Sequence, residues 1–136
     1  PRPDPSAALQ QRYQHIWQTQ MQGVPLLNPR LRVQAVGFRP WGARGEHWLG
    51  ALVTPWFMNL LLVPRIATAW APMPERASRH LAFPAGVFEF IATHDPALGT
   101  WLACSLFSPM HEFATHTAAV QTAQAALHGL LLEYFH

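Results

Sequence analysis

Apolar and polar positions keep different rhythms in successive parts of the chain. In "SAALQQRYQHIWQTQM" (6–21), Leu9, Tyr13, Ile16, Trp17 and Met21 recur at helical spacing, and Asp4-Pro5-Ser6 supplies capping chemistry ahead of them. The spacing predicts an N-terminal helix over 6–21. "GVPLLNP" (23–29) ends it with Gly23, Pro25 and the Asn28-Pro29 turn signal. Alternation then takes over. "RLRVQAVGF" (30–38) sets Leu31, Val33 and Ala35 against Arg32, Gln34 and Val36, the pattern of a half-exposed strand. "PWGARGE" (40–46) reads as a turn, "HWLGALVT" (47–54) as a second strand and "FMNLLLV" (57–63) as a third, with Pro55 marking an edge, a bulge or a bend between them. Residues 64–79 hold three Pro and no clear period, which predicts a loop.

A fourth strand is expected within "HLAFPAGVFEFIAT" (80–93), after Pro84-Ala85-Gly86; "HDPALG" (94–99) is a turn and "TWLACSLFS" (100–108) a fifth strand. Ser108-Pro109 offers an N-cap and a first-turn Pro for a helical start. From Thr117 to Phe135 the chain reads helix again, with Val120, Leu127, Leu131 and Tyr134 as its apolar stripe. The expected fold is α+β: one domain over 1–136 in two layers. A largely antiparallel sheet of about five strands (30–108) carries the N-terminal helix and a C-terminal helix (117–135) on one face.

Composition narrows the function classes. Half of the 136 residues are hydrophobic and 12% are charged, so the chain buries a core, and its surface keeps much uncharged area suited to a partner. Nine basic residues, all Arg, oppose seven acids for a net charge of +2, with no basic stripe; nucleic-acid binding is not expected. The most apolar run, "LVTPWFMNLLLVP" (52–64), is too short and too interrupted by Pro55 and Asn59 to span a membrane. The opening "PRPDPSAALQQRYQ" does not resemble a signal peptide, and the chain begins without Met, which leaves room for residues ahead of Pro1.

Candidate chemistry is sparse. The single Cys104 excludes an internal disulfide and multi-cysteine metal patterns. Eight His invite a metal reading, but His111 and His116 are five apart and no HExxH occurs, so scattered surface histidines and no metal site are expected. Cys104 with His111 or His94 is the formal candidate for thiol catalysis, yet "LACSLF" offers no basic neighbour to activate it. No nucleophile elbow, phosphate loop or dinucleotide fingerprint occurs; no catalytic residue and no cofactor are assigned.

What remains is apolar and aromatic. "PWFMN" (55–59), "GVFEF" (86–90) and "LFSPMHEF" (106–113) combine large side chains with turn-forming or lone polar residues. Most of these fill a core, at about 1.5–3 kcal/mol for each buried Phe or Met. Strand alternation puts Phe57, Asn59 and Leu61 on one face and Met58, Leu60 and Leu62 on the other, and one of those sets could line a groove. Glu89 reads either as a solvated strand position or as an acid placed to meet a partner's Arg. Glu112 reads as a helix-start acid.

The same segments carry a resemblance. "NPRLRVQAVGF", "WLGALVTPWFMNLLLVP", "FPAGVFEFI" and "CSLFSPMHEF" resemble the HybE/HupJ family of nickel–iron hydrogenase assembly chaperones, from about Gly23 to the C-terminal helix. The resemblance implies an α+β fold and a cytoplasmic, non-enzymatic maturation factor. Such a protein binds the hydrogenase small-subunit precursor, with its twin-arginine signal and iron–sulfur body, and delays export until assembly is complete. The large subunit and other maturation factors are further expected partners. Some HupJ-type relatives add a rubredoxin-like domain with four iron-binding cysteines, which this chain, with one Cys, lacks. The partner-binding set expected on these grounds is Trp56, Phe57, Met58, Asn59, Phe88, Glu89, Phe107, Met110, Glu112 and Phe113. The competing readings are a thiol-dependent maturation enzyme using Cys104 and His111, and a structural subunit of the hydrogenase complex.

Overall fold

The computed structural model describes residues 1–66 and 73–132. Helix α1 (Ser6–Gln20) leads into strands β1 (Gln34–Trp41), β2 (His47–Val53), β3 (Met58–Pro64), β4 (Ser78–Phe83), β5 (Gly86–Asp95) and β6 (Gly99–Phe107), and helix α2 (His116–Leu130) follows. The strands form one sheet in the order β1-β2-β3-β6-β5-β4, with every pairing antiparallel. It consists of two three-stranded meanders, β1–β3 and β4–β6, joined along β3 and β6.

The α+β class and the antiparallel sheet are as expected; the strand count is six rather than five, and the layering differs. Alternate residues of the central strands serve different cores. Leu49, Ala51, Val53, Leu60, Leu62 and Leu102 face α2, through its Ala119, Ala123 and Leu127. Leu52, Leu61 and Trp101 face the other way, toward Leu9 and Tyr13 of α1. The helices therefore lie on opposite faces, in three layers, and not together on one. The uninterrupted run Leu60-Leu61-Leu62 is the physical reason: a strand apolar on both sides needs cover on both sides.

The sixth strand comes from splitting the expected fourth. β4 and β5 form a hairpin across Pro84-Ala85, with Phe83 opposite Gly86, so Pro84-Ala85-Gly86 joins two strands where it was expected to precede one. Gly86 has φ +147, a conformation that side chains rarely adopt. The first strand starts later than expected, at Gln34, because Leu31 closes a turn onto Asn28 O (3.1 Å) and Arg32 N donates to His116 Nδ1 (3.2 Å). It also runs through Pro40 to Trp41, which the sequence assigns to a turn. β1 is an edge strand, so the missing N–H of Pro40 costs no ladder bond. Phe38 lies flat against Gly50, where a Cβ would collide with its ring.

No helix begins at Ser108-Pro109. That peptide is cis, and the carbonyls of Met110 and Phe113 are taken by the buried Asn28 side chain (3.0 and 2.8 Å). α2 starts instead after Thr115, whose hydroxyl accepts from Ala118 N (3.0 Å) as an N-cap. Its inward face is His116, Ala119, Ala123, Leu127 and Leu130. Val120 and Leu131 flank that face, and the expected Tyr134 and Phe135 lie outside the described residues, as does the middle of the expected 64–79 loop. α1 is held more lightly, with Leu9 as its one buried residue.

Candidate functional site

Thr54 organises the turn between β2 and β3. Its backbone N–H donates to Phe57 O (2.9 Å), and its hydroxyl accepts from Trp56 N and Phe57 N (3.2 and 3.0 Å). Pro55 fits the bend because its fixed φ suits the second position of a turn. Val53 and Met58 then pair as the first rung of the β2–β3 ladder. The consequence is a rigid four-residue tip that presents Trp56 and Phe57 side by side.

A second hub lies just behind it. Asn28 N donates to Pro55 O (2.8 Å), while the Asn28 side chain accepts from Arg30 N and donates to the 110–113 segment. One buried residue, through its backbone N–H and its side-chain amide, thus fastens together the 28–31 turn, the 54–57 turn and the segment before α2. The sequence reading registered Asn28 only as a turn signal; its burial amid apolar neighbours is what gives it this role.

The expected partner-binding residues separate into two groups. Met58 and Met110 are 0% exposed and Phe113 is 8% exposed, all in the core on the α2 face. Phe107 packs edge-on to Phe113 at 5.0 Å between ring centres, and Phe88 lies edge-on to Phe83 at 6.0 Å. The adaptable, methionine-lined groove is therefore core and not surface, because α2 and the 110–113 segment close over that face. Glu112 is exposed and belongs to no helix start.

The second group faces the α1 side. Phe57 and Trp56 are half-buried and stack edge-on at 5.7 Å; Tyr13 of α1 sits 5.5 Å from Phe57 and 6.3 Å from Trp56, and Trp101 completes the cluster at 6.4 Å from Tyr13. Tyr13 and Trp101 are absent from the expected set; their aromatic character was the available signal, but only the fold brings residues 13, 56 and 101 together. Asn59 follows on the same face, opposite Ser105 on β6, and its Oδ1 is buried without a hydrogen-bond partner among the described residues. Register carries the face onward from Ala103 to Ile91 and, two residues along β5, to Glu89. Glu89 is exposed, accepts from Ser78 Oγ (2.7 Å) and lies 3.8 Å from His80 Nε2. Beside it Val87 is 67% exposed. α1 covers the aromatic end of this face and leaves the Glu89 end open.

The electrostatics suit binding more than catalysis. Burial, with help from Asp95, pushes the Tyr13 hydroxyl up to about 12, so it stays a neutral donor. Burial and the nearby Glu89 charge push the Cys104 thiol up, the reverse of an activated nucleophile. His116 is lowered by burial and by Arg32; accepting from Arg32 N at Nδ1, it presents Nε2–H to Gln34 Oε1 at 2.9 Å and holds α2 to β1 as a neutral ring. Among the described residues no group of three or more His, Cys, Asp or Glu is placed to hold a metal ion, and no helix is long and apolar enough to cross a membrane.

Comparisons with known proteins fit this picture. The chain is 42% identical over 120 residues to the hydrogenase expression/formation protein HupJ of Bradyrhizobium diazoefficiens, covering 88% of this chain and 68% of that one. It is 40% identical over 121 residues to a protein of Rhodobacter capsulatus named "Probable rubredoxin HupJ", covering 89% of this chain and 42% of the longer relative. The solution structure of HybE from Escherichia coli shares the fold, with a TM-score of 0.75 at 22% identity over 94% of this chain and 77% of that one. A family profile described as "[NiFe]-hydrogenase assembly, chaperone, HybE" matches residues 4–134. By extent and by fold, the chain belongs to the HybE family of nickel–iron hydrogenase assembly chaperones.

Proposed function

We propose that this chain is a cytoplasmic chaperone for the precursor of the hydrogenase small subunit, which it binds reversibly and holds back from export until assembly is complete. The observation that carries the reading is the uncovered part of the α1-side face: an exposed Glu89 on the same face as the rigid Trp56–Phe57 tip. A twin-arginine signal offers guanidinium groups followed by an apolar stretch. A carboxylate accepts a guanidinium fork through two parallel bonds, and an aromatic face adds stacking and cation–π attraction. An open face gives moderate affinity, which release of the finished complex requires. The large subunit and other maturation factors are further partners under this proposal.

Calorimetric titration with a twin-arginine signal peptide, and separately with the small subunit lacking it, tests the reading. The peptide is expected to bind, and Glu89→Gln combined with Trp56→Ala to weaken it by at least about tenfold, the worth of one charge-assisted hydrogen bond. Binding confined to the subunit without its signal would overturn the signal-binding part. Undiminished binding by the folded double variant would overturn the assignment of this face.

A further inference from the structure

The two edges of the sheet are finished differently. β1 is sealed along its outer side: its register breaks between Val36 and Arg39, Pro40 has no N–H to give, and Ala35 N donates to Gln10 Oε1 of α1 (2.9 Å). β4, the other edge, pairs with β5 without a break from Ser78–Ile91 to Phe83–Gly86, and it contains no Pro.

The phase of that ladder decides what β4 offers. The hairpin closes on the Phe83–Gly86 pair, and Ala92 N donates to Ala77 O (2.9 Å), so the odd-numbered residues of the strand bond to β5. Ser78, His80 and Ala82 therefore turn their N–H and C=O groups outward, and all three residues are exposed. Arg79 Nη1 folds back onto Ser78 O (3.0 Å); among the described residues nothing is bonded to the N–H of Ser78 or to either backbone group of His80 and Ala82. Donors and acceptors at this two-residue spacing are matched by the backbone of another extended chain. The side chains of the same three residues lie on the Glu89 face, His80 opposite Glu89 and Ala82 opposite Val87. Ala82 is too small to cover Val87, which is left 67% exposed. The open stretch ends where Trp41 stacks on Phe83, at 4.7 Å between ring centres.

We propose that an extended segment of the partner docks on β4 as a seventh strand of the sheet, hydrogen-bonded to the backbone of His80 and Ala82. The proposal deepens the reading of the Glu89 face given above and rests on it for the identity of the partner, the twin-arginine signal. Residues of the added strand that stand opposite His80 and Ala82 project onto the same face as Glu89. An Arg opposite His80 extends along that row toward Glu89, and a large apolar residue opposite Ala82 covers Val87. The backbone ladder fixes where the segment lies, and the side chains then select its sequence. A second copy of this chain fits less well. Antiparallel registers centred on Arg79 or His80 set like residues against each other, and one centred on Leu81 sets Ser78 against Pro84, which has no N–H to give.

The test is a titration of the whole protein with a twin-arginine signal peptide, read by amide hydrogen exchange. The His80 and Ala82 amides are expected to exchange at least about tenfold more slowly in the complex. Two versions of the peptide, N-methylated at alternate residues in opposite phase, separate the ladder from side-chain contact: one phase should lose at least about tenfold in affinity and the other keep it. Ala82→Pro removes an N–H that the fold does not use, at an edge position where Pro is tolerated, and should weaken the peptide by a similar factor. Binding that leaves those amides exchanging freely, equal affinity of the two N-methylated peptides, or no loss in folded Ala82→Pro would each overturn strand addition and leave the signal-binding reading standing. A peptide that does not bind at all would overturn both. Protection that appears on concentrating the protein alone would assign the edge to a second copy and overturn the proposal.

Discussion

Leu60 and Leu61 are neighbours on β3, equally buried, and they serve different halves of the molecule. Leu60 looks into the α2 face, where a helix lined with Ala and Leu, the 110–113 segment and the hairpin aromatics meet in a continuous core. Leu61 looks into the α1 face, where four fully buried residues form a small cluster and the sheet beyond it stays open. The closed face holds the fold together and has no surface to offer. The open face contributes less to stability and carries the candidate docking surface, the Trp56–Glu89 side. Binding surfaces sit where the fold leaves its own face incompletely covered.

That contrast is open to direct attack. Met58→Ala, on the closed face, is expected to destabilise the protein by about 2–5 kcal/mol in urea unfolding, because a 0%-exposed side chain leaves a cavity the core cannot fill. A loss below about 1 kcal/mol would mean that the closed face is not the stabilising one. Asn28→Ala comes next, at about 1–3 kcal/mol, since it strands two buried carbonyls at once; slower hydrogen exchange in the 110–113 segment of that variant would contradict the role given to Asn28.

Protonation probes the same closed face more gently. The folded protein holds His116 below its ordinary value of 6.5, so below that pH the unfolded chain binds protons that the folded one refuses. Stability is therefore full above about pH 6.5, declines as the pH falls beneath it, and levels off once the folded ring also protonates. His47 is pushed down by burial as well and adds to the same slope, so His116→Gln should flatten the decline only in part. An unchanged slope would dismiss His116 as a contributor. The smallest effect is expected on the open face: Glu89→Gln should change stability by less than about 0.5 kcal/mol. A large loss there would show that Glu89 serves the fold and not a partner.

How much of this was visible in the sequence follows the same division. Both helices, the antiparallel class and the second and third strands follow from periodicity and turn residues, because those signals are local. β1, by contrast, starts and ends later than its alternation suggests, and α2 stops at Leu130, short of the expected Phe135. The β4–β5 hairpin was missed because Pro-Ala is not among the dipeptides that announce a two-residue turn, and because β4 alternates weakly, with Leu81 and Phe83 its only large apolar residues. The opposite placement of the helices was implicit in Leu60-Leu61-Leu62, an apolar run with no polar face, but alternation in β1 suggested a sheet with one wet side. Among the candidate residues, chemistry did not separate Met58 from Phe57; parity did, once the turn at Thr54 set which of the two points inward. Tyr13 and Trp101 are far from Trp56 in sequence, so no local pattern could join them to a site.

The joining of the two meanders along β3 and β6 also sets an order of events during synthesis. The first meander can close as soon as residue 64 has left the ribosome, but the outer edge of β3, with Leu60, Leu61 and Leu62 in a row, has no partner until β6 is made. For that interval the most apolar strand of the protein is an unprotected edge, the kind that pairs with other nascent chains. An assembly chaperone of this architecture is thus itself, while it is being translated, in need of shelter.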